Sequence, residues 1–205
     1  MSSSLYRYQQ SQRPTVSKPE VIAGPTTEPL TIQEARRHLF LAADDQEHDQ
    51  ALESMIQEAR EQWENDTDST VMAQTLRVTA EGLFGREVCL PSRPIQSIES
   101  FTYYDLNDVS QTMPSSIYSL DKSRREIRLD WNETWPAMAL RWDAATIDYV
   151  AGVDTREEVA AIAKRAMLLL IGYYFENRDM LANDIIYSGR AYDSLVTKYM
   201  RSTYP

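Results

Sequence analysis

The stretch Ala151–Met180, AGVDTREEVAAIAKRAMLLLIGYYFENRDM, joins a turn, a helix start, a helix apolar on most sides and a polar stop. Thr155 and Glu158 fit a capping box, in which each side chain satisfies a backbone N–H left free by the first helical turn. The spacing therefore predicts a helix over 156–177. Val159, Ile162, Ala163, Ala166, Leu170 and Tyr173 recur at three- and four-residue steps, and Met167, Leu168, Leu169 and Ile171 widen that stripe. A helix of this kind belongs at the centre of a core. Its apolar run from Ala166 to Phe175 is about half of the ~20 residues a bilayer requires, so it is not a membrane span.

Around that helix lie 205 residues, enough for one good core or two small ones. A net charge of -10 and a mean hydropathy of -0.49 describe a water-facing protein, and an acidic chain is a poor grip for phosphate backbones. The lone Cys89 excludes an intrachain disulfide. No basic segment followed by an apolar one opens the sequence, so a reducing cytoplasm is the expected setting and the sequons at Asn65 and Asn132 carry no weight. The charge is concentrated. Between Asp44 and Asp68 ten acids face Arg60 alone, while Leu52, Met55, Ile56, Ala59 and Trp63 mark a narrow 3.6-residue stripe. This predicts an amphipathic helix over 46–65 whose solvated acidic face includes Glu53, Glu58, Glu61 and Glu64. Asp44 and Asp45 are its expected N-caps.

Three further regions follow from pattern. Residues 1–28, with prolines at 14, 19 and 25, have too few apolar side chains to fold alone and read as an extended arm. Such an arm needs a neighbouring chain to order it, with Tyr6 and Tyr8 as anchors. Thr31 and Glu34 form a second capping box, with Leu30 and Ala35 placed as a staple, for a helix over 31–41. From about 70 to 150 the period changes to two: Leu76, Val78, Ala80; Ile127, Leu129, Trp131; Leu140, Trp142; Ile147, Tyr149, Ala151. Turn signals separate these runs at Pro91–Pro94, Asn107–Asp108, Pro114–Ser116 and Trp135–Pro136, and no crossover is long enough for parallel pairing. The fold class is α+β: a helical bundle of two N-terminal and two C-terminal helices with an inserted antiparallel β region. Residues 29–180 form the core of the chain, and 181–205 a C-terminal helix and tail. The last helix, over 190–201, shows an apolar face at Tyr192, Leu195, Val196 and Tyr199.

Chemistry is sparse. His38 and His48 have no ligand partner at metal spacing, and Asp105, Asn107 and Asp108 lack the glycine of a calcium loop and read as a hairpin tip. There is no phosphate-binding glycine loop and no nucleophile elbow. Cys89, in Val88–Cys89–Leu90, reads as a small buried hydrophobe. No catalytic residue, cofactor or metal is expected.

The order Glu28-Pro29-Leu30-Thr31-Ile32-Gln33-Glu34-Ala35, then Leu90-Pro91 with Pro94-Ile95-Gln96-Ser97-Ile98 and Tyr103-Tyr104-Asp105, then Asp148-Tyr149-Val150-Ala151-Gly152, then Leu168-Leu169-Leu170 with Tyr174-Phe175-Glu176-Asn177-Arg178, resembles the head-tail connector (adaptor) proteins of tailed bacteriophages. The resemblance spans about 28–180. It implies a structural protein of the virion neck, assembled in the host cytoplasm, that forms a cyclic homo-oligomer, commonly of twelve subunits. Its partners would be the portal protein and the tail, stopper or nozzle component. Genomic DNA would pass through the lumen without being read, and an acidic helix facing it would keep the genome from adhering. Portal docking would fall to the C-terminal end, where Tyr199, Met200, Arg201 and Tyr204 are the side-chain types favoured at interface hot spots. Two other classes fit the composition: an acidic protein-binding regulator, monomeric or dimeric, and a hydrolase built from scattered carboxylates, which would need a closed pocket.

Overall fold

In a computed structural model the chain is described over residues 14–44, 46–177 and 190–203. It divides into two compact units: Ala73–Gly152 together with the segment before Pro25, and Pro25–Met72 together with the chain from Val153 onward. The fold is α+β, with the β region inserted between two helical pairs as the change of period requires.

In the β unit, a five-stranded antiparallel sheet is built from β1 (Glu20–Ala23), β2 (Gln74–Ala80), β4 (Ile95–Tyr104), β5 (Ser110–Thr112) and β8 (Ala145–Ala151), in the order β1-β2-β8-β4-β5. A second sheet has the order β3-β7-β6, from β3 (Glu87–Cys89), β6 (Tyr118–Asp121) and β7 (Glu126–Leu129). The register of β2 on β8 sets Leu76 opposite Tyr149 and Val78 opposite Ile147. All four point into a core shared with Val88, Leu90, Phe101 and Ile127. Two register shifts in β4 break its alternation, yet Ile95 and Phe101 both reach that core. The buried Tyr149 hydroxyl donates to the Pro91 carbonyl at 2.8 Å. On the other face Arg77 forks onto the Asp148 carboxylate at 2.7 and 2.8 Å. Those hydrogen bonds hold Asp148 below its ordinary pKa, outweighing its partial burial. A depressed carboxylate contributes stability above its unfolded pKa, near 3.8, and loses it as pH falls through the lower folded value. Between pH 5 and pH 2 the wild-type melting temperature should therefore fall further than that of Arg77→Ala, and parallel decline in the two chains would contradict this assignment.

Three expectations about the strands are corrected. Trp131 lies beyond the end of β7 and is solvent-exposed. Leu140 and Trp142 are in a loop, exposed by 104% and 71%. Their alternation is real, but the segment touches the end of β4 only through the Ala139 amide on the Tyr104 carbonyl and the Tyr104 amide on the Ala144 carbonyl, and it joins neither sheet as a strand. Cys89 is only half-buried: the period of two sends Val88 and Leu90 inward and turns Cys89 to the opposite face, its Sγ 3.7 Å from Glu126 Oε1.

The helical unit contains α1 (Ile32–His38), α2 (Asp49–Thr67), α3 (Ala161–Glu176) and α4 (Arg190–Thr203). Thr31 and Glu34 close the expected capping box, with Glu34 N–H donating to Thr31 Oγ1 at 3.1 Å and Thr31 N–H to Glu34 Oε2 at 2.7 Å. α1 stops at His38, short of Leu41, because Phe40 takes a left-handed φ of 58°. The Leu41 and Phe40 amides then donate back to the carbonyls of Arg36 and Arg37. This is a Schellman stop.

α2 buries Leu52, Ile56, Ala59 and Trp63 along one stripe against Ala163, Met167, Leu170 and Ile171 of α3, which belong to the same core. His48, rather than Asp44 or Asp45, occupies the cap position of α2, and its side chain does not cap the helix. Asp45 lies outside the described residues. The first-turn acid Asp49 instead complements the helix N-terminus and bonds Arg36. The Thr155–Glu158 pair does not start α3. It opens a 3-10 turn over Arg156–Glu158, after which Val159 and Ala160 are extended and α3 begins at Ala161. Burial explains the delay: the break drives Val159 into the core, and Arg156 Nε holds the turn by donating to the Glu28 carbonyl at 2.7 Å.

α4 closes the core over Trp63. The Tyr192 and Tyr199 rings meet the indole edge-on at 6.2 and 5.1 Å between centroids, and Tyr192 Oη donates to Asp66 at 2.7 Å. Burial, then this hydrogen bond, raises the Tyr192 pKa, and burial pushes that of Tyr174 up to about 12. No described helix is long and apolar enough to cross a membrane.

Candidate interaction surfaces

The acidic helix divides its charges into two sets. Glu53, Glu58 and Glu61 are exposed on α2, as expected of a solvated face. Glu64 is not part of it. Its side chain is 13% exposed, accepts from Arg60 Nη1 at 3.0 Å and from the Val71 amide at 2.7 Å, and so ties the C-terminal end of α2 to the chain beyond it. Arg60 is buried on the same helix and is also held by Glu28 Oε2 at 2.9 Å, with Glu61 at 3.5 Å. Burial alone would lower the Arg60 pKa, but the hydrogen bond it donates to Glu28 and the charges of Glu64, Glu28 and Glu61 raise it overall. Arg36 likewise occupies Asp49, and its Nη1 donates to the Ala43 carbonyl at 3.0 Å. Sequence alone gave Arg60 ten acidic neighbours; folding selects two of them and adds Glu28 from outside the segment.

Beside this face, a groove of about 1010 Å³ runs between residues 26–36 and α2, with Thr27, Thr31, Arg36, Asp49, Glu53 and Gln57 among its walls. Most of the lining residues are polar or charged, but Leu30, Ile32, Ile56 and the side-chain stems make its surface about half apolar. Among the described residues, no three His, Cys, Asp or Glu side chains are placed to hold a metal ion.

The expected anchors of the N-terminal arm, Tyr6 and Tyr8, lie outside the described residues. From Pro14 onward the arm is not free. Val16 bridges Ala80, Ser17 N–H donates to the Thr79 carbonyl at 2.8 Å, and β1 pairs antiparallel with β2. The backbone of β2 would otherwise present an open edge, and pairing satisfies it whatever the side chains are. Composition had argued that this segment could not order on its own subunit, because it scored side chains and not ladder bonds.

Of the C-terminal residues, Tyr199 packs against Trp63, Met200 is half-buried, Arg201 is exposed and Tyr204 lies outside the described residues. Tyr199 is thus already engaged by its own subunit.

Sequence reading missed two apolar features. Phe40 is 95% exposed at the Schellman stop of α1. At one end of the β unit, Leu106 and Val109 on the β4–β5 hairpin tip and Leu140 and Trp142 on the β7–β8 loop are all exposed. Arg141 fastens that loop to the tip: it stacks 3.6 Å over the Tyr104 ring, bonds Asp108 at 2.6 Å and forks onto Asp143 at 2.5 and 2.9 Å. The fork holds Asp143 below the usual carboxylate range.

No family model matches the chain, and no curated protein sequence does. Solved structures do. A chain in the neck of an empty gene transfer agent (GTA) particle, computed with C6 symmetry, superposes with a TM-score of 0.72 at 20% identity, covering 89% of this chain and 95% of that one. A chain in the virion of a native gene transfer agent particle gives 0.69 at 20% identity, over 89% and 95% of the two chains. A chain in the neck of the native particle, computed with C12 symmetry, gives 0.68 at 19% identity, over 89% and 94%. At this identity the shared property is the fold, helical pairs and inserted sheets together.

Proposed function

We propose that this chain is a structural subunit of a virion neck, a ring-forming head-to-tail adaptor that joins the portal to the tail or closure component and carries out no catalysis. The observation that supports this reading most strongly is the fold likeness to neck chains over 89% of the sequence and nearly all of the neighbour's length. Those particles have neck assemblies with sixfold and twelvefold symmetry, and a dodecamer is the ring size proposed here. The protein would act in the virion neck after assembly in the host cytoplasm.

In this reading Glu53, Glu58 and Glu61 line the DNA channel. Their exposed carboxylates repel phosphate over about 8 Å at physiological salt, which lets a genome pass without sticking. Glu64 has no share in this, being committed to Arg60 and Val71. Tyr6 and Tyr8 contact the neighbouring subunit. Met200, Arg201 and Tyr204 dock the portal; Tyr199 positions them through Trp63.

The test is a truncation of residues 201–205, which spares Tyr199, mixed with the portal ring of the same particle and imaged. The melting temperature should stay within a few degrees of wild type, and adaptor occupancy on the portal should fall sharply, since each hot-spot anchor contributes about 2 kcal/mol or more and the ring repeats the loss in every subunit. Full occupancy would move portal docking away from this end.

A further inference from the structure

Phe40 occupies the position after a helix where glycine is the usual residue. Its φ of 58° is costly for a bulky side chain, and the exposed ring recovers nothing within its own subunit. The turn is nevertheless firmly built: the Leu41 and Phe40 amides close the Schellman bonds, and Arg36 holds the Ala43 carbonyl. A strained, fixed and outward aromatic is a device for something outside the subunit.

The tip of the β unit has the opposite character. Leu106 and Val109 on the hairpin tip, and Leu140 and Trp142 on the loop that Arg141 fastens to it through Tyr104 and Asp108, offer four exposed apolar side chains, taken together as a platform. Two carboxylates, Asp108 and Asp143, hold that one guanidinium, and Asp105 adds a third negative charge on the hairpin tip, where it accepts from Asn107, Val109 and Gln111. The exposed residue flanking Phe40 on α1 is Arg37, a cation. A cyclic ring needs two different, mutually complementary patches on every subunit, because its contacts run head to tail. This chain carries one apolar knob with a cation beside it and one apolar platform with net negative charge.

Resting on the neck-ring reading, we infer that Phe40 of one subunit packs on the Leu106–Val109–Leu140–Trp142 platform of the next copy of this chain, and that this contact closes the ring.

Phe40→Asp and Trp142→Asp test it. Both side chains are exposed, so each variant should keep the wild-type melting temperature, and Phe40→Gly, which suits the left-handed turn, provides a second knob-less chain of assured fold. In sedimentation velocity the wild type should form a large closed species. Each variant alone should be monomeric, its subunit contact weakened by roughly 30-fold or more. A mixture of Phe40→Asp with Trp142→Asp should give a one-to-one heterodimer and nothing larger, because only one intact knob and one intact platform then meet. Ring formation by either variant alone, or a mixture that stays monomeric, would overturn the inference while leaving the neck reading standing. A wild type that is monomeric at every concentration would overturn both.

Discussion

Leu170→Asp should leave the helical unit unfolded under conditions where the wild type is intact. Leu170 is 1% exposed, in the middle of α3 and within the core shared by all four helices. A carboxylate placed there meets no cation, and an unpaired buried charge costs several kcal/mol against a total stability of about 5 to 15 kcal/mol. Leu168 is on the same helix but only half-buried, so Leu168→Asp should cost much less. Urea unfolding followed by far-ultraviolet circular dichroism reads the difference. Equal midpoints for Leu170→Asp and wild type would mean that α3 is not the centre of this core.

The second large effect is expected at Arg60. Its side chain is 6% exposed, between Glu28 and Glu64, and the latter is itself 13% exposed. Arg60→Met fills much of the space but leaves both carboxylates without their shared cation, a loss on the order of 3–5 kcal/mol for a buried pair broken from one side. Adding Glu64→Gln removes one stranded charge and keeps an oxygen for the Val71 amide, so the double variant should regain a measurable part of the loss. If Arg60→Met unfolds at the wild-type urea concentration, the network is a surface feature of little energetic weight.

What could be read in advance divides along physical lines. The stripes Leu52–Ile56–Ala59–Trp63 and Leu76–Val78–Ala80 were legible because burial acts on each element through its own period, and the elements lie where those periods place them. Signals that depend on a distant partner were not. Leu140 and Trp142 alternate like a strand, but only the sheet order reveals that they belong to neither sheet. Thr155 and Glu158 have the right spacing for a cap, but the core's claim on Val159 postpones the helix by five residues relative to the expected Arg156. Glu64 looked like three other glutamates until Arg60 and the Val71 amide came to it. Pairing with β2 orders the chain from Pro14 because backbone hydrogen bonding is blind to composition. Phe40 runs against every local preference for its φ, so no propensity argument could have singled it out.

The proposed role stands or falls with assembly. Native mass spectrometry of the full-length protein, with electron-microscopic class averages from the same preparation, counts subunits and shows whether they enclose a lumen. A closed ring of identical copies, twelve in number, with an open centre is the expected result. A discrete monomer or dimer at every concentration, with no ring in any class average, would contradict the account of this chain as a ring-forming neck subunit.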